Sequence, residues 1–208
     1  MTRRATASFA SLVLLCVALA GAPTALRAAD ASPGEAAPAN NTPPVGDSIY
    51  ALPVPLERSD GQRMPLAGFR GRPLLLAMFY SQCSSACPVL VERLRVSVGR
   101  LAPEERRRLT ILLVSLDPGR DTPAALEEFA GRHHIGDDGW VLARASAHDT
   151  RALATVLGIR FRALPDGTIT HSAPIVLLDA AGSIIARTTE LQSDDAAFEA
   201  ALRAALRP

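Results

Sequence analysis

The residues Leu74-Leu75-Leu76-Ala77-Met78-Phe79 form a continuous apolar run behind Gly71-Arg72-Pro73, and the run stops at Tyr80-Ser81-Gln82-Cys83-Ser84-Ser85-Ala86-Cys87-Pro88. A short apolar run without polar alternation reads as a strand buried on both faces. From Ala86 the pattern changes, because Val89, Leu90, Leu94 and Val98 recur at helical spacing with Glu92, Arg93 and Arg95 between them. Pro88 suits a first helical turn, where no intrahelical donor is lost. A buried strand must therefore pass directly into a helix, with two cysteines four residues apart at the junction. Unpaired N–H groups and the helix dipole at such a terminus favour anions and lower a thiol pKa. Thiolate is the form that binds metal and attacks disulfides.

The rest of the chain supplies neighbours for that strand. Thr110 to Leu116 is a second buried run, Trp140 to Ala143 a third, and Ile175 to Leu178 with Ile184 to Ala186 a hairpin around Asp179-Ala180-Ala181-Gly182. Between them lie a short helical piece opened by Pro103, a helix opened by Thr122-Pro123 and running to about His134, and a helix over Asp149 to Leu157 stopped by Gly158. Ile159 to Phe161 and Thr168 to Thr170 flank the turn Pro165-Asp166-Gly167, and a last helix spans about Asp194 to Leu206 with Phe198, Leu202 and Leu206 on one stripe. Ser48 to Leu56 and Gln62 to Leu66, around Ser59-Asp60-Gly61, predict a small hairpin before the central strand. Strands alternating with helices and closed by a hairpin imply an α/β fold, a central mixed sheet with helices on both faces. There is no internal repeat.

The first residues read differently. Arg3 and Arg4, the apolar stretch Phe9 to Ala22 and the small residues around Ala20-Gly21-Ala22 or Leu26-Arg27-Ala28 have the pattern of a signal peptide over residues 1–29. The apolar stretch is shorter than the roughly 20 residues that span a bilayer. Secretion to the periplasm is the expectation, with an uncleaved inner-membrane anchor as its rival. Cys16 follows the bulky Leu15 where a lipoprotein signal has a small residue, and Arg3-Arg4 lacks the apolar followers of a twin-arginine signal. Residues 30–44, rich in Ala, Pro, Asn and Ser, form a flexible linker, and the folded domain is expected over 45–208.

Loss of the signal would take three of the 22 basic residues and leave 19 against 21 acidic ones, which offers nothing to nucleic acid. No lysine occurs anywhere, so lysine-based catalysis is excluded. It would also leave two cysteines, Cys83 and Cys87. In an oxidising compartment an isolated pair is often a structural disulfide. Here the link would close a tiny loop and constrain the unfolded chain little. A reversible dithiol and a metal site remain the better readings.

Three segments carry a resemblance to a known family. They are Cys83-x-x-x-Cys87-Pro88, Val114-Ser115-Leu116-Asp117-Pro118-Gly119-Arg120-Asp121-Thr122-Pro123, and His171-Ser172-Ala173 running into Ile175-Val176-Leu177-Leu178-Asp179. In order and spacing the chain resembles the Sco/SenC proteins, thioredoxin-like copper chaperones of cytochrome c oxidase assembly, from about Val45 to Arg187. The resemblance implies copper held by Cys83, Cys87 and His171. It implies delivery to the binuclear copper site of oxidase subunit II, or exchange with another periplasmic copper chaperone. It also implies a proline and an aspartate between the cysteines, where this chain has Ser84 and Ser85. Pro174 stands one residue from the place of the proline that faces the cysteines in thioredoxins.

The donor chemistry points the same way. Two thiolates and an imidazole are a soft set suited to Cu(I), and the imidazole can help to hold Cu(II). Zn²⁺ usually takes a fourth ligand. His133 and His134 fall at a helix C-terminus and His148 at a helix start, where solvated roles suffice. Asp117 and Asp121 serve either as turn and cap residues or as part of a loop beside the copper that a partner reads. Two functions follow, a copper metallochaperone and a thiol-disulfide oxidoreductase in which Cys83 and Cys87 are the catalytic pair. Three residues between the cysteines, rather than the two of thioredoxins, favour the metal.

Overall fold

The computed structural model describes residues 48–136 and 138–207, so the expected signal peptide and linker lie outside it. A single 3-10 turn at Ile49–Ala51 leads to β1 (Pro55–Arg58), β2 (Arg63–Pro65) and a second such turn at Leu66–Phe69. β3 (Leu74–Phe79), α1 (Ala86–Gly99), α2 (Pro103–Arg108), β4 (Thr110–Ser115), α3 (Pro123–Arg132), β5 (Trp140–Arg144) and α4 (Ala147–Val156) follow. The chain continues through β6 (Phe161–Ala163), β7 (Ile169–His171), β8 (Ile175–Leu178), β9 (Ile184–Thr188) and α5 (Ala196–Ala205).

All six residues of β3 are buried, as are all six of β4, which is what an uninterrupted apolar run requires of its surroundings. β3 pairs in parallel with β4, from Leu74↔Thr110 to Phe79↔Ser115, and antiparallel with β8, from Leu74↔Leu178 to Leu76↔Val176. The mixed sheet runs β2-β1-β5-β4-β3-β8-β9. β6 and β7 pair only with each other, Phe161↔His171 through Ala163↔Ile169, in a separate two-stranded sheet.

Helices close over the central strands. Arg95 of α1 donates to the His133 carbonyl at the end of α3, and Ser97 of α1 donates to Glu199 of α5. Arg93 and Glu199, each 4% exposed, pair at 3.1 Å across the same α1–α5 seam. Phe129 of α3 stacks on Phe79 of β3 at 4.6 Å between centroids. These contacts lock α1 against its neighbours and thus fix the helix whose first turn carries Cys87.

Local signals set most element ends. Thr122 caps α3 by accepting from Ala125 N–H, and Asp195 caps α5 by accepting from Phe198 N–H. Ser146 caps α4, so that helix starts at Ala147 rather than Asp149. Gly158 takes φ +66 and ends it. The predicted amino-terminal hairpin forms, but its first arm is Pro55–Arg58, and the residues before it include the 3-10 turn. No described helix is long and apolar enough to cross a membrane.

Candidate metal centre

The strand-to-helix junction places the two cysteines differently. Cys87 is the second residue of α1 and is 1% exposed, while Cys83 precedes the helix and is 7% exposed. Both are free thiols. The backbone N–H of Cys87 donates to the Cys83 sulfur at 3.3 Å, and the Cys87 thiol lies 3.7 Å from the Tyr80 carbonyl, its acceptor. The helix terminus thus directs a donor at Cys83, as its dipole favours.

These surroundings separate the two thiols chemically. Burial is the strongest single influence on Cys83 and opposes its ionisation. Hydrogen bonds from the Cys87 thiol and from the N–H groups of Cys87, Ser85 and Ala86 outweigh it, and the Cys83 pKa is lowered. Burial, reinforced by the neighbouring Cys83, pushes the Cys87 thiol well up. Tyr80 is raised in turn, by burial first, and its ring meets that of His171 edge-on at 6.0 Å.

His171 ends β7 and is half-buried. Its Nδ1 lies 3.0 Å from the Ser172 carbonyl, which can only accept, so Nδ1 carries the proton. Burial lowers the imidazole pKa and keeps the ring neutral. Nε2 therefore presents a lone pair, and it is buried with no hydrogen-bond partner among the described residues. A buried polar atom without a partner is costly. The two Sγ atoms and a ring nitrogen of His171 all lie within 4.8 Å of one another, although two of the residues come from β3–α1 and the third from the β6–β7 hairpin. The donor set is soft, close and partly stripped of water, and it fits a thiophilic metal ion.

The other candidates stand apart. His148 is exposed and pairs with Asp149, and His133 packs on Phe129 at 4.3 Å. Asp117 is bound to Arg120 and belongs to a turn. Asp121 is neither helix cap nor exposed recognition residue. It is 1% exposed and accepts from Ser81 and Ser115, while Thr122 caps α3. Sequence reading gave no role to Ser81 or to Arg132, which donates to the Ser81 carbonyl at 3.0 Å. Ser81, Ser115 and Asp121 all lie in segments singled out from the sequence, but no local signal joins them. Ser84 and Ser85 are exposed, and Ser85 makes no side-chain cap to α1. Pro174 is buried between β7 and β8.

Comparison with known proteins agrees with this architecture. The family model described as SCO1/SenC matches residues 50–207. A Stutzerimonas stutzeri protein named as copper-binding is 27% identical over 151 residues, which cover 66% of this chain and 72% of that one. The structure of Bradyrhizobium japonicum ScoI with copper bound superposes with TM-score 0.60 at 22% identity, covering 74% of this chain and 97% of that one. BsSco, a member of the Sco family of cytochrome c oxidase assembly proteins described with a disulfide switch, superposes with TM-score 0.64 at 19% identity, covering 74% and 92% respectively. At such identities the two superpositions show a shared thioredoxin-like fold.

Proposed function

We propose a function from the premise that the chain belongs to the SCO1/SenC family: it binds copper as cargo through Cys83, Cys87 and His171 and delivers it to the copper site of cytochrome c oxidase subunit II. The buried, unpartnered Nε2 of His171, on a ring that brings a nitrogen within 4.8 Å of both sulfurs, is the observation that carries the reading. Cys83 and Cys87 would bind as thiolates, and binding would release their protons. The depressed pKa of Cys83 favours this at neutral pH, and the metal itself would draw the proton from Cys87. His171 would add a neutral nitrogen, which Cu(II) favours more than Cu(I) does. The Stutzerimonas relative, named as copper-binding, and the copper-bound Bradyrhizobium neighbour support copper over other thiophilic ions.

The test is to expose anaerobically reduced protein to Cu(I) and measure bound metal against a competing chelator, beside Cys83→Ser and Cys87→Ser. Stoichiometric binding lost in both variants supports the site. Equal retention by either variant overturns it.

A second reading rests on the contrast between the two thiols. A buried, protonated Cys87 beside a more acidic Cys83 is also how an exchange pair is arranged, with Cys83 attacking a disulfide and Cys87 resolving the mixed disulfide. Rapid catalytic reduction of a partner disulfide by a protein that does not retain Cu(I) would favour this oxidoreductase. The periplasm is the proposed location for either function. Intact-mass analysis of the exported protein should find cleavage between about Ala22 and Ala29; a species retaining residues 9–22 would indicate an anchor.

A further inference from the structure

The loop between β4 and α3 touches both halves of the site without contributing a ligand. Asp121 reaches the thiol half. Its carboxylate, 1% exposed, accepts from Ser81 N–H at 3.2 Å, from the Ser81 hydroxyl and from the Ser115 hydroxyl, each at 2.5 Å. Arg132 takes the Ser81 carbonyl, so Asp121 and Arg132 together engage the N–H, the hydroxyl and the carbonyl of a residue two positions before Cys83. A buried carboxylate is tolerated only with its acceptors filled, which leaves this turn one arrangement.

Arg120 reaches the imidazole half. Its guanidinium bonds the Asp117 carboxylate and, through Nη2, the Gly167 carbonyl in the β6–β7 turn. Gly167 has φ +84, which strains any other residue, and a Cβ there would come within 2.7 Å of Arg120 Nη1 and push the guanidinium aside. The β6–β7 pair is not part of the main sheet, and an isolated two-stranded hairpin is marginal. Its hold on the domain includes the buried Ile169 and this guanidinium.

We propose that the Asp117–Asp121 loop positions the two halves of the site separately: Asp121 fixes the thiol-bearing turn through Ser81, and Arg120 fixes the His171 hairpin through Gly167. The expected copper effects rest on the function proposed above, whereas the positioning itself is testable without metal. Backbone ¹⁵N order parameters over residues 161–171 and the alkylation rate of Cys83 are measured on the metal-free full chain. Cu(I) and Cu(II) affinities follow by competition.

Arg120→Gln and Gly167→Ala should each lower hairpin order from about 0.85 toward 0.6. Each should weaken Cu(II) about tenfold, as loss of an orienting partner does, with Cu(I) nearly unchanged. Combined, they should do little more than Gly167→Ala alone, which removes the same contact and also strains the turn. Asp121→Ala should instead alter Cys83 alkylation severalfold and weaken Cu(I), with the hairpin unchanged. If that variant does not fold, Ser81→Ala removes a single hydroxyl bond and asks the same question.

Equal loss of Cu(I) and Cu(II) in Arg120→Gln, or an unaltered hairpin, overturns the imidazole arm. Unaltered Cys83 reactivity in the folded Asp121 or Ser81 variant overturns the thiol arm. If the unsubstituted protein binds no copper, the copper function fails, and the order parameters and alkylation rates still decide the positioning.

Discussion

The thiol and imidazole halves of the centre are built on different foundations. Cys83 and Cys87 follow β3, whose residues are all buried and all paired with β4, the first three also with β8, and Cys87 lies within a helix tied to α3 and α5. His171 sits in a three-residue strand of a hairpin outside that sheet and is half-buried. The thiols thus inherit the stability of the domain core, and the imidazole has what its hairpin, held by Ile169 and Arg120, supplies. A soft ion can be kept on the rigid half while the third ligand remains the adjustable one, which suits the copper delivery proposed above.

The sharpest break in that comparison is at the sulfurs. Cys83→Ser or Cys87→Ser should abolish competition-resistant Cu(I) binding with the far-UV circular dichroism unchanged. Serine fills the space but not the chemistry, and Met64 and Met78 do not form a paired motif.

The support beneath the thiols comes next. Phe129 is fully buried on Phe79, and Phe129→Ala should cost about 3–5 kcal/mol in a denaturant titration. A loss under about 1 kcal/mol would mean that α3 does not brace the thiol half.

His171→Ala tests the other half. Cu(II) affinity should fall at least about tenfold, equivalent to roughly 1.4 kcal/mol, with a smaller loss for Cu(I) and no change in the rate of disulfide exchange. A fall in the exchange rate with copper affinity unaltered would reverse the roles proposed for the two halves.

The smallest effect lies within the thiol half and depends on pH. Iodoacetamide should label Cys83 before Cys87, with Cys83 losing reactivity as pH falls through its lowered pKa. For stability the signs oppose. The lowered Cys83 pKa stabilises above the ordinary thiol range and is lost as pH falls. The raised Cys87 pKa stabilises below that range and is lost as pH rises. Cys87 carries the larger shift, so reduced protein should lose a little stability toward alkaline pH, read as a lower melting temperature.

Much of the fold was legible because its signals are local. The apolar run at residues 74–79, the Thr122-Pro123 start, the Gly158 stop and the cysteine spacing each depend on neighbours a few positions away, where period, capping and φ preference operate. The same local logic put both sulfurs at a helix terminus and made thiolate chemistry an expectation before any tertiary contact was known. Long-range packing settled the rest. It brought His171 beside sulfurs more than eighty positions earlier and buried its Nε2 without a hydrogen-bond partner among the described residues. It also buried Asp121 under Ser81, where an acidic residue in a Pro/Gly-rich segment had every local reason to face water. Side-chain type determines what a group can donate or accept, whereas burial and partners are properties of the assembled sheet and hairpin.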